Sequence, residues 1–241
     1  MKALIDADIL VYRVGHAAGD DPDVKRVLRT VDSMVLDIVM DSDCEDYELF
    51  LTDGKGNFRN DVAVTAPYKG NRGSTEKPKH YDRIRDYMVD KMGADMATTM
   101  EADDMLAIRS NEDGIDNTII VSLDKDLDQV PGHHFNFVKK QKYTITQGQG
   151  NLLLAQQFLT GDRIDNIIGV KGIGPVKAAK AFADCKDWPE YWEVIVDKMG
   201  MDRAMENGQL LYMLRTLDDK FAPDNPFLLD GGYNATKETF N

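Results

Sequence analysis

Five groups of carboxylates stand out along the chain: Asp6; Asp53; Glu101, Asp103 and Asp104; Asp124 and Asp126; and Asp162 and Asp165. Carboxylate oxygens are hard ligands that suit Mg²⁺, which keeps an octahedral shell and several of its waters. Two such ions about 3.5–4 Å apart can activate a water and stabilise the leaving oxygen of a phosphodiester. Acids converging from several elements could build that pair, and bound cations would relieve their mutual repulsion. Taken singly, each group also has a plainer reading. Asp6 and Asp53 suit turns or helix caps, and Thr98-x-x-Glu101 fits a capping box. Asp103 and Asp104 favour a helix start, Asp124 and Asp126 a turn, and Asp162 and Asp165 the cap of the following helix.

The last pair runs directly into GVKGIGPVKAAK, residues 169–180. Gly172 and Gly174 allow left-handed backbone and close approach to a ligand, and Pro175 suits the first position of a helix. Amides at that helix start would face phosphate oxygens, with Lys171, Lys177 and Lys180 nearby. Such a hairpin grips backbone and so binds without sequence preference. It would serve equally as a Gly/Pro turn between packed helices. Residues 66–90, APYKGNRGSTEKPKHYDRIRDYMVD, concentrate basic side chains in an otherwise acidic chain. Within it Lys69 and Arg72 could clamp a phosphate and its developing charge, and Tyr68 could stack on an unpaired base. A solvated basic loop is the alternative.

These groups need elements to position them. Ala3–Ile5, Tyr47–Gly54 and Thr118–Asp126 read as strands that each end in an acid, separated by helical stretches. That alternation predicts a parallel α/β sheet, in which ligands bind outside the carboxyl ends of the strands. Val24, Val27, Leu28, Val31, Val35, Ile38 and Val39 recur at helical spacing and predict an amphipathic helix. Helices are also expected from Tyr81, past Glu101, over Leu152–Leu159, Pro175–Ala183, Trp188–Met199 and Gly208–Leu217, with a hairpin after Val138. Met88, Met92, Trp188 and Trp192 read as core, and His133–His134 as a strand-edge pair.

Composition sets outer bounds. With 241 residues, 42% hydrophobic and 29% charged, the chain suits a soluble globular protein of one large domain or one with a helical appendage. The opening MKALIDADILVYR is interrupted by Asp6 and Asp8, so neither a signal peptide nor a membrane span is expected. Cys44 and Cys185 lack CxxC or His spacing and read as free thiols of a reducing cytoplasm. None of the four histidines has ligand-like spacing. A net charge of −13 argues against a polyanionic partner, unless nine of the acids hold cations.

Together these motifs resemble the 5′-nuclease superfamily: flap endonucleases, the 5′-nuclease domain of bacterial DNA polymerase I, and phage 5′→3′ exonucleases. DADILVYRVGHAA resembles the first strand and helix of that family, with Asp6 the acid and Arg13 a phosphate contact. LTDG with PYKGNR, EADDMLA, SLDKDLDQV and GDRIDNIIGVKGIGPVKAAK follow in the family's order, and the likeness reaches about Phe182. It implies a PIN-like parallel sheet flanked by helices (1–150), including a short arch (about 66–100), and a helical C-terminal DNA-binding region (151–241) with a helix–three-turn–helix.

The resemblance also implies ligand sets. One metal falls to Asp6, Asp53, Glu101, Asp103 and Asp104, and a second to Asp124, Asp126, Asp162 and Asp165. These would be Mg²⁺, with Mn²⁺ a substitute. K⁺ is implied at carbonyls around Val170 and Ile173, and DNA contacts at Arg13, Tyr68, Lys171, Gly172, Gly174 and Lys177. Lys69 and Arg72 would stabilise the transition state. The expected activity is hydrolysis near 5′ ends of duplex, nicked or flapped DNA, or of RNA in RNA–DNA hybrids, by a monomeric protein of the (host) cytoplasm. Two departures stand out: the segment between Lys69 and Glu101 is short, and Gln157 stands where some relatives carry lysine. A DNA-binding protein with a crippled site is the alternative of another class. A phosphatase reading of Asp6-Ala7-Asp8 is the third.

Overall fold

The computed structural model describes residues 1–71, 73 and 76–229. In chain order the main elements are β1 (Lys2–Asp6), α1 (Ala7–Ala18), α2 (Val24–Asp41), β2 (Asp46–Thr52), the single turn α3 (Arg59–Val62), α4 (Tyr81–Met92), β3 (Asp95–Ala97), α5 (Ala102–Asp113), β4 (Thr118–Val121), β5 (Gly132–Asn136), β6 (Gln141–Ile145), α6 (Gln147–Thr160), α7 (Pro175–Ala181), α8 (Trp188–Met199) and α9 (Met201–Leu211). They fall into two compact units. The first comprises residues 1–57, 74–127 and 132–144; the second comprises 58–73, 128–131 and 145 onwards.

The first unit is built on a six-stranded sheet of order β3-β2-β1-β4-β5-β6. Neighbours from β3 to β5 run parallel, with Asp6 opposite Phe50 and Ile5 opposite Val121. Successive side chains of a strand face opposite sides. Ala3 and Ile5 therefore join Leu49, Leu51, Ile119 and Val121 under α1, α2 and α4, in one core with Val27, Val31, Val35, Ile38, Ile84 and Met88. On the other face lie Leu4, Phe50 and Ile120, with Leu106 and Ala107 of α5, all essentially inaccessible. Strands covered on both faces read as near-continuous apolar runs, as TIIV of β4 does. This is the α/β parallel sheet flanked by helices that the sequence predicts.

Three expectations change here. The stretch 66–100 does not form an arch from Tyr81 on, because Ile84 and Met88 place α4 in the core and Asp95–Ala97 extends the sheet. His133 and His134 lie on β5, which has neighbours on both sides, so they are not an edge pair. The helix after β3 begins at Ala102, with Glu101 instead of Thr98 as its cap.

The second unit is helical. Thr146 and Gln149 form a reciprocal capping box that starts α6: the Thr146 hydroxyl accepts from the Gln149 amide at 3.3 Å, and Gln149 Oε1 accepts from the Thr146 amide at 2.8 Å. Phe158 of α6 meets the rings of Trp188, Trp192 and Phe221. Phe221 also faces Tyr212 at 6.0 Å. Buried Arg59 ties α3 to the end of α9, donating to the carbonyls of Leu210 and Tyr212 at 2.9 and 3.0 Å. The last helix among the described residues spans Met201–Leu211, not the expected Gly208–Leu217, and ends at Tyr212, whose backbone is extended. Among the described residues no helix is long and apolar enough to cross a membrane.

Candidate active site

In the first unit parallel strands bring their carboxyl ends to one edge, and the acids collect there. Asp6 ends β1 and caps α1, accepting from the Ile9 amide at 3.3 Å. Its other oxygen accepts from the Ser122 hydroxyl at 2.9 Å, and that same hydroxyl accepts from the Asp124 amide at 3.0 Å. Asp124 in turn accepts from the Asp126 amide at 2.9 Å. Asp53 follows β2; its amide donates to the Ala97 carbonyl at 3.0 Å, and Lys55 approaches its carboxylate at 3.7 Å. Asp104 turns back to accept from the Glu101 amide at 3.1 Å, while Glu101 accepts from Asn57 at 2.8 Å. The capping reading of these acids therefore holds in part: several carboxylates spend one oxygen on backbone.

The electrostatics show the cost of this crowding. Burial, then the charges of Asp8 and Asp124, push the Asp6 carboxyl up to about 7 against the relief offered by Ser122 and Ile9. Asp103 is raised well above the usual carboxylate range by burial and by Asp6, Asp124, Glu101 and Asp104. Such crowding of negative charge around the buried Asp6 and Asp104 favours a compensating cation or a bound proton. Among the described residues no three His, Cys, Asp or Glu side chains stand close enough to enclose an ion directly. The donor set is all oxygen, and Mg²⁺ commonly binds through one or two carboxylates and retained waters. The chemistry of the acids thus fits a hard divalent ion held largely through water.

Asp8 is a different case. Arg85 donates to its Oδ1 at 2.7 Å and the Thr52 amide to its Oδ2 at 2.9 Å. Arg85 also reaches the Thr52 carbonyl at 2.6 Å, so this basic residue of the 66–90 stretch is structural. Arg13, exposed on α1, lies over the Phe137 ring at 5.8 Å. It lines a groove of about 390 Å³ that also includes Asp37, Asp41 and Lys140.

The second unit carries the remaining acids. Gly161 and Gly169 lie back to back where Gly161–Asp162 pairs with Ile167–Ile168. A Cβ on Gly161 would fall 2.3 Å from the Gly169 nitrogen and the Ile167 oxygen, so the close turn after α6 requires glycine. Asp162 Oδ1 accepts from the amides of Ile164 and Asp165 at 2.6 and 3.1 Å and shapes the loop. Lys69 lies in the same unit, its Nζ 3.8 Å from Asp165 Oδ1. Tyr68 is 8% exposed and its hydroxyl donates to Asp165 Oδ2 at 2.9 Å. Its ring is thus committed to the interior and is not offered to an unpaired base as expected. Arg72 lies outside the described residues.

At the hairpin, Gly172 is left-handed (φ +80°), whereas Gly174 is extended and caps α7 ahead of Pro175. Only the first of the two glycines uses the left-handed region. The Val170 carbonyl accepts from the Ile173 amide at 3.0 Å, and the Gly172 carbonyl accepts from Lys177 Nζ at 2.7 Å. Lys171 is exposed beside them. Sequence reasoning gave no part to Ser122, although it opens the quoted SLDKD segment. It also gave no part to Asn166, although it lies in the quoted GDRIDNIIGV segment, and it missed Glu206, which no motif marks.

A parallel sheet flanked by helices, with acids along its carboxyl edge, defines an α/β protein of resolvase-like class. Residues 1–154 match the family described as 5′-3′ exonuclease, N-terminal resolvase-like domain, and the chain belongs to that family. No curated protein sequence matches the chain. Among solved structures it is similar to a bacteriophage T5 protein co-crystallised with metal ions, with 20% identity, a TM-score of 0.66, and 100% of this chain and 99% of that chain covered. Human GEN1 in complex with Holliday junction DNA gives 16% identity and a TM-score of 0.52 over 99% of this chain and 68% of that one. The catalytic core of Rad2 in complex with a DNA substrate gives 14% and 0.50 over 98% and 90%. At these identities the likeness is one of fold.

Proposed function

We propose that this protein is a divalent-metal-dependent 5′→3′ exonuclease and flap endonuclease. It would hydrolyse phosphodiesters near the 5′ ends of duplex, nicked or flapped DNA, and of RNA in hybrids, leaving 5′-phosphate and 3′-hydroxyl ends. The observation that carries this reading is the gathering of carboxylates at the strand ends, Asp6 and Asp104 buried among them, where the raised affinity of Asp6 and Asp103 for protons suits a place built for positive charge. Membership of the exonuclease family supports it.

In this reading Asp6, Asp53, Glu101, Asp103, Asp104, Asp124 and Asp126 are the first unit's metal-binding acids, and Asp162 and Asp165 are those of the second unit. Mg²⁺, or Mn²⁺ in its place, supplies when bound an activated water and charge neutralisation at the phosphate. The chain's own residues do the rest. Ser122 orients Asp6 by a hydrogen bond, and Lys69 offers an ammonium to the developing phosphate charge. The amides at the start of α7, with Lys171 and Lys177, hold the DNA backbone, and K⁺ at the carbonyls of Val170 and Ile173 would assist. Arg13 and Arg72 are proposed phosphate contacts. The protein would act as a monomer in the cytoplasm.

The test is cleavage of 5′-labelled flap, nicked, blunt and hybrid substrates with and without Mg²⁺. Metal-dependent release of short 5′ products is expected, and Asp124→Asn should abolish it while sparing DNA binding. Retained cleavage by that variant would sink the assignment of the acids. Binding with no product in either Mg²⁺ or Mn²⁺ would instead favour a DNA-binding protein without chemistry. The phosphatase reading loses ground because both Asp8 oxygens are engaged, one by Arg85 and one by the Thr52 amide.

A further inference from the structure

Helix α9 holds two separate loops of its own unit with one run of polar side chains. Arg203, Glu206 and Asn207 stand three and four residues apart and so share a face of the helix. Arg203 Nη2 and Asn207 Nδ2 both donate to one acceptor, the Ile168 carbonyl, at 2.6 and 3.1 Å. A carbonyl has two lone pairs, and here both are taken. That carbonyl ends the short ribbon in which Gly161–Asp162 pairs with Ile167–Ile168, two residues ahead of Val170. Glu206 holds the other loop, accepting from the amides of Val64 and Thr65 at 2.8 and 2.6 Å and from the Thr65 hydroxyl. Burial opposes charge on Glu206, but the Thr65 hydroxyl, those two amides and lastly the Arg203 guanidinium hold its carboxyl below the usual range. Asn166 Nδ2 joins the two loops directly, donating to the Pro67 carbonyl at 2.9 Å.

The hairpin that follows cannot fix itself. Residues 171–177 are exposed apart from half-buried Ile173, so the packing of their side chains supplies little to hold them. The next buried residue is Ala178 of α7. The hairpin is therefore a span between two anchors, the Ile168 carbonyl on one side and Ala178 on the other. We infer that Arg203 is a positioning residue for DNA binding: through the Ile168 carbonyl it sets the direction in which the backbone of residues 170–174 leaves the helical unit, with Glu206 bracing it against the loop at Val64 and Thr65. Asn207, 1% exposed, packs inside and satisfies the same carbonyl without charge. The guanidinium adds a second bond to that carbonyl and an attraction to Glu206. Without it one donor remains, and DNA must itself order the hairpin on binding, at a cost in affinity.

This inference rests on the reading of the hairpin as a DNA grip, and its test separates the two. Amide hydrogen exchange and melting are measured on the full chain for the wild type, Arg203→Met and Arg203→Lys. Beside them stand DNA binding in chelator over a range of salt and single-turnover cleavage of a 5′-flap substrate. Lys171→Met serves as the loss of a direct phosphate contact, which makes the slope of log affinity against log salt shallower by about 0.9. We expect the Val170 and Ile173 amides of Arg203→Met to exchange about 10-fold faster while those of α6 and α8 are unchanged. Its Kd for DNA rises about 10-fold, the usual worth of a hydrogen bond to a charged group, and keeps the salt slope of the wild type. The rate at saturating enzyme stays within about threefold, and Arg203→Lys recovers part of the affinity. A salt slope reduced as in Lys171→Met would show that Arg203 touches phosphate itself, and overturns the inference. A lower melting temperature with exchange quickened equally in α6, α8 and the hairpin is a structural role and overturns it too. So does wild-type exchange or wild-type Kd in Arg203→Met. A wild type that binds no DNA would remove the reading of the hairpin, while the exchange rates of Val170 and Ile173 would still decide whether Arg203 positions it.

Discussion

The Ser122 hydroxyl donates to Asp6 Oδ2 at 2.9 Å and at the same time accepts from the amide of Asp124 at 3.0 Å. One small side chain at the end of β4 thereby links the acid that ends β1 to the acid that follows β4. The hydroxyl's single proton is committed to Asp6, so the hydrogen bond orients that carboxylate and favours its charged form.

Ser122→Ala should therefore affect the acids more than the fold. A buried carboxylate oxygen that loses its donor costs about 1–3 kcal/mol, and the Asp6 carboxyl would rise further. We expect the Mg²⁺ concentration giving half-maximal cleavage to increase about 10-fold or more, with Ser122→Thr close to wild type. A Mg²⁺ titration of cleavage, beside thermal melting, checks this.

The raised carboxyls of Asp6 and Asp103 make stability depend on pH in a particular direction. A group whose pKa is higher in the folded state stabilises the fold below its unfolded value, and that contribution disappears as pH rises through the folded value. For Asp6 the window runs from the ordinary carboxylate range up to about 7. The chelator-treated protein should melt at progressively lower temperature from pH 5 to pH 8. Mg²⁺ should restore the melting temperature chiefly at the alkaline end, and Asp6→Asn should flatten the slope. Glu206 acts in another window. Although burial opposes it, the Thr65 hydroxyl and the amides of Thr65 and Val64 hold Glu206 below the usual range, so its contribution is lost only as pH falls through acid values. A melting temperature independent of pH between 5 and 8 in chelator would refute the assignment.

Much of this was legible in the sequence, for reasons that differ by element. Apolar runs ending in acids give β1, β2 and β4, because strands buried on both faces need uninterrupted apolar side chains. The four-residue rhythm of Val27, Val31 and Val35 gives α2. The strand Asp95–Ala97 is too short to show a period. The start of α6 is masked by Gly148 and Gly150. Gly150 is there for closeness, since a Cβ would meet the Gln129 carbonyl oxygen at 2.5 Å. For the candidate site, the residue types of the acids were visible, but not which oxygen each spends on backbone. The inward turn of Tyr68 depends on Asp165, nearly a hundred residues away, and no local pattern encodes that contact.

Gly161→Ala should be among the most damaging single changes to the second unit. The residue is left-handed (φ +68°), and its Cβ would lie 2.3 Å from two backbone atoms of the facing segment, which cannot yield as a side-chain tip could. Strain and overpacking together predict a loss on the order of 3 kcal/mol. Because Asp162 is the next residue, cleavage should fall as well. Circular-dichroism melting checks the first effect, and a wild-type melt would count against the packing described.

Lys69→Ala tests the phosphate-facing role of the ammonium with the backbone left in place. The Lys69 amide donates to the Asp165 carbonyl through the main chain, a contact that alanine keeps, and alanine is no worse than lysine at the observed φ of +54°. Folding should change little, since a part-exposed ammonium at 3.8 Å from a carboxylate contributes at most about 1 kcal/mol. If the ammonium meets charge that develops on phosphate, kcat should fall about 10²–10³-fold, with KM for DNA changed only a few-fold. Lys69→Arg should recover part of the loss, because the charge returns while its shape and reach differ. A loss confined to KM would mean that Lys69 only binds DNA, and an unchanged kcat would remove it from the chemistry altogether. Single-turnover cleavage at saturating enzyme separates these outcomes, because DNA affinity then no longer enters the measured rate.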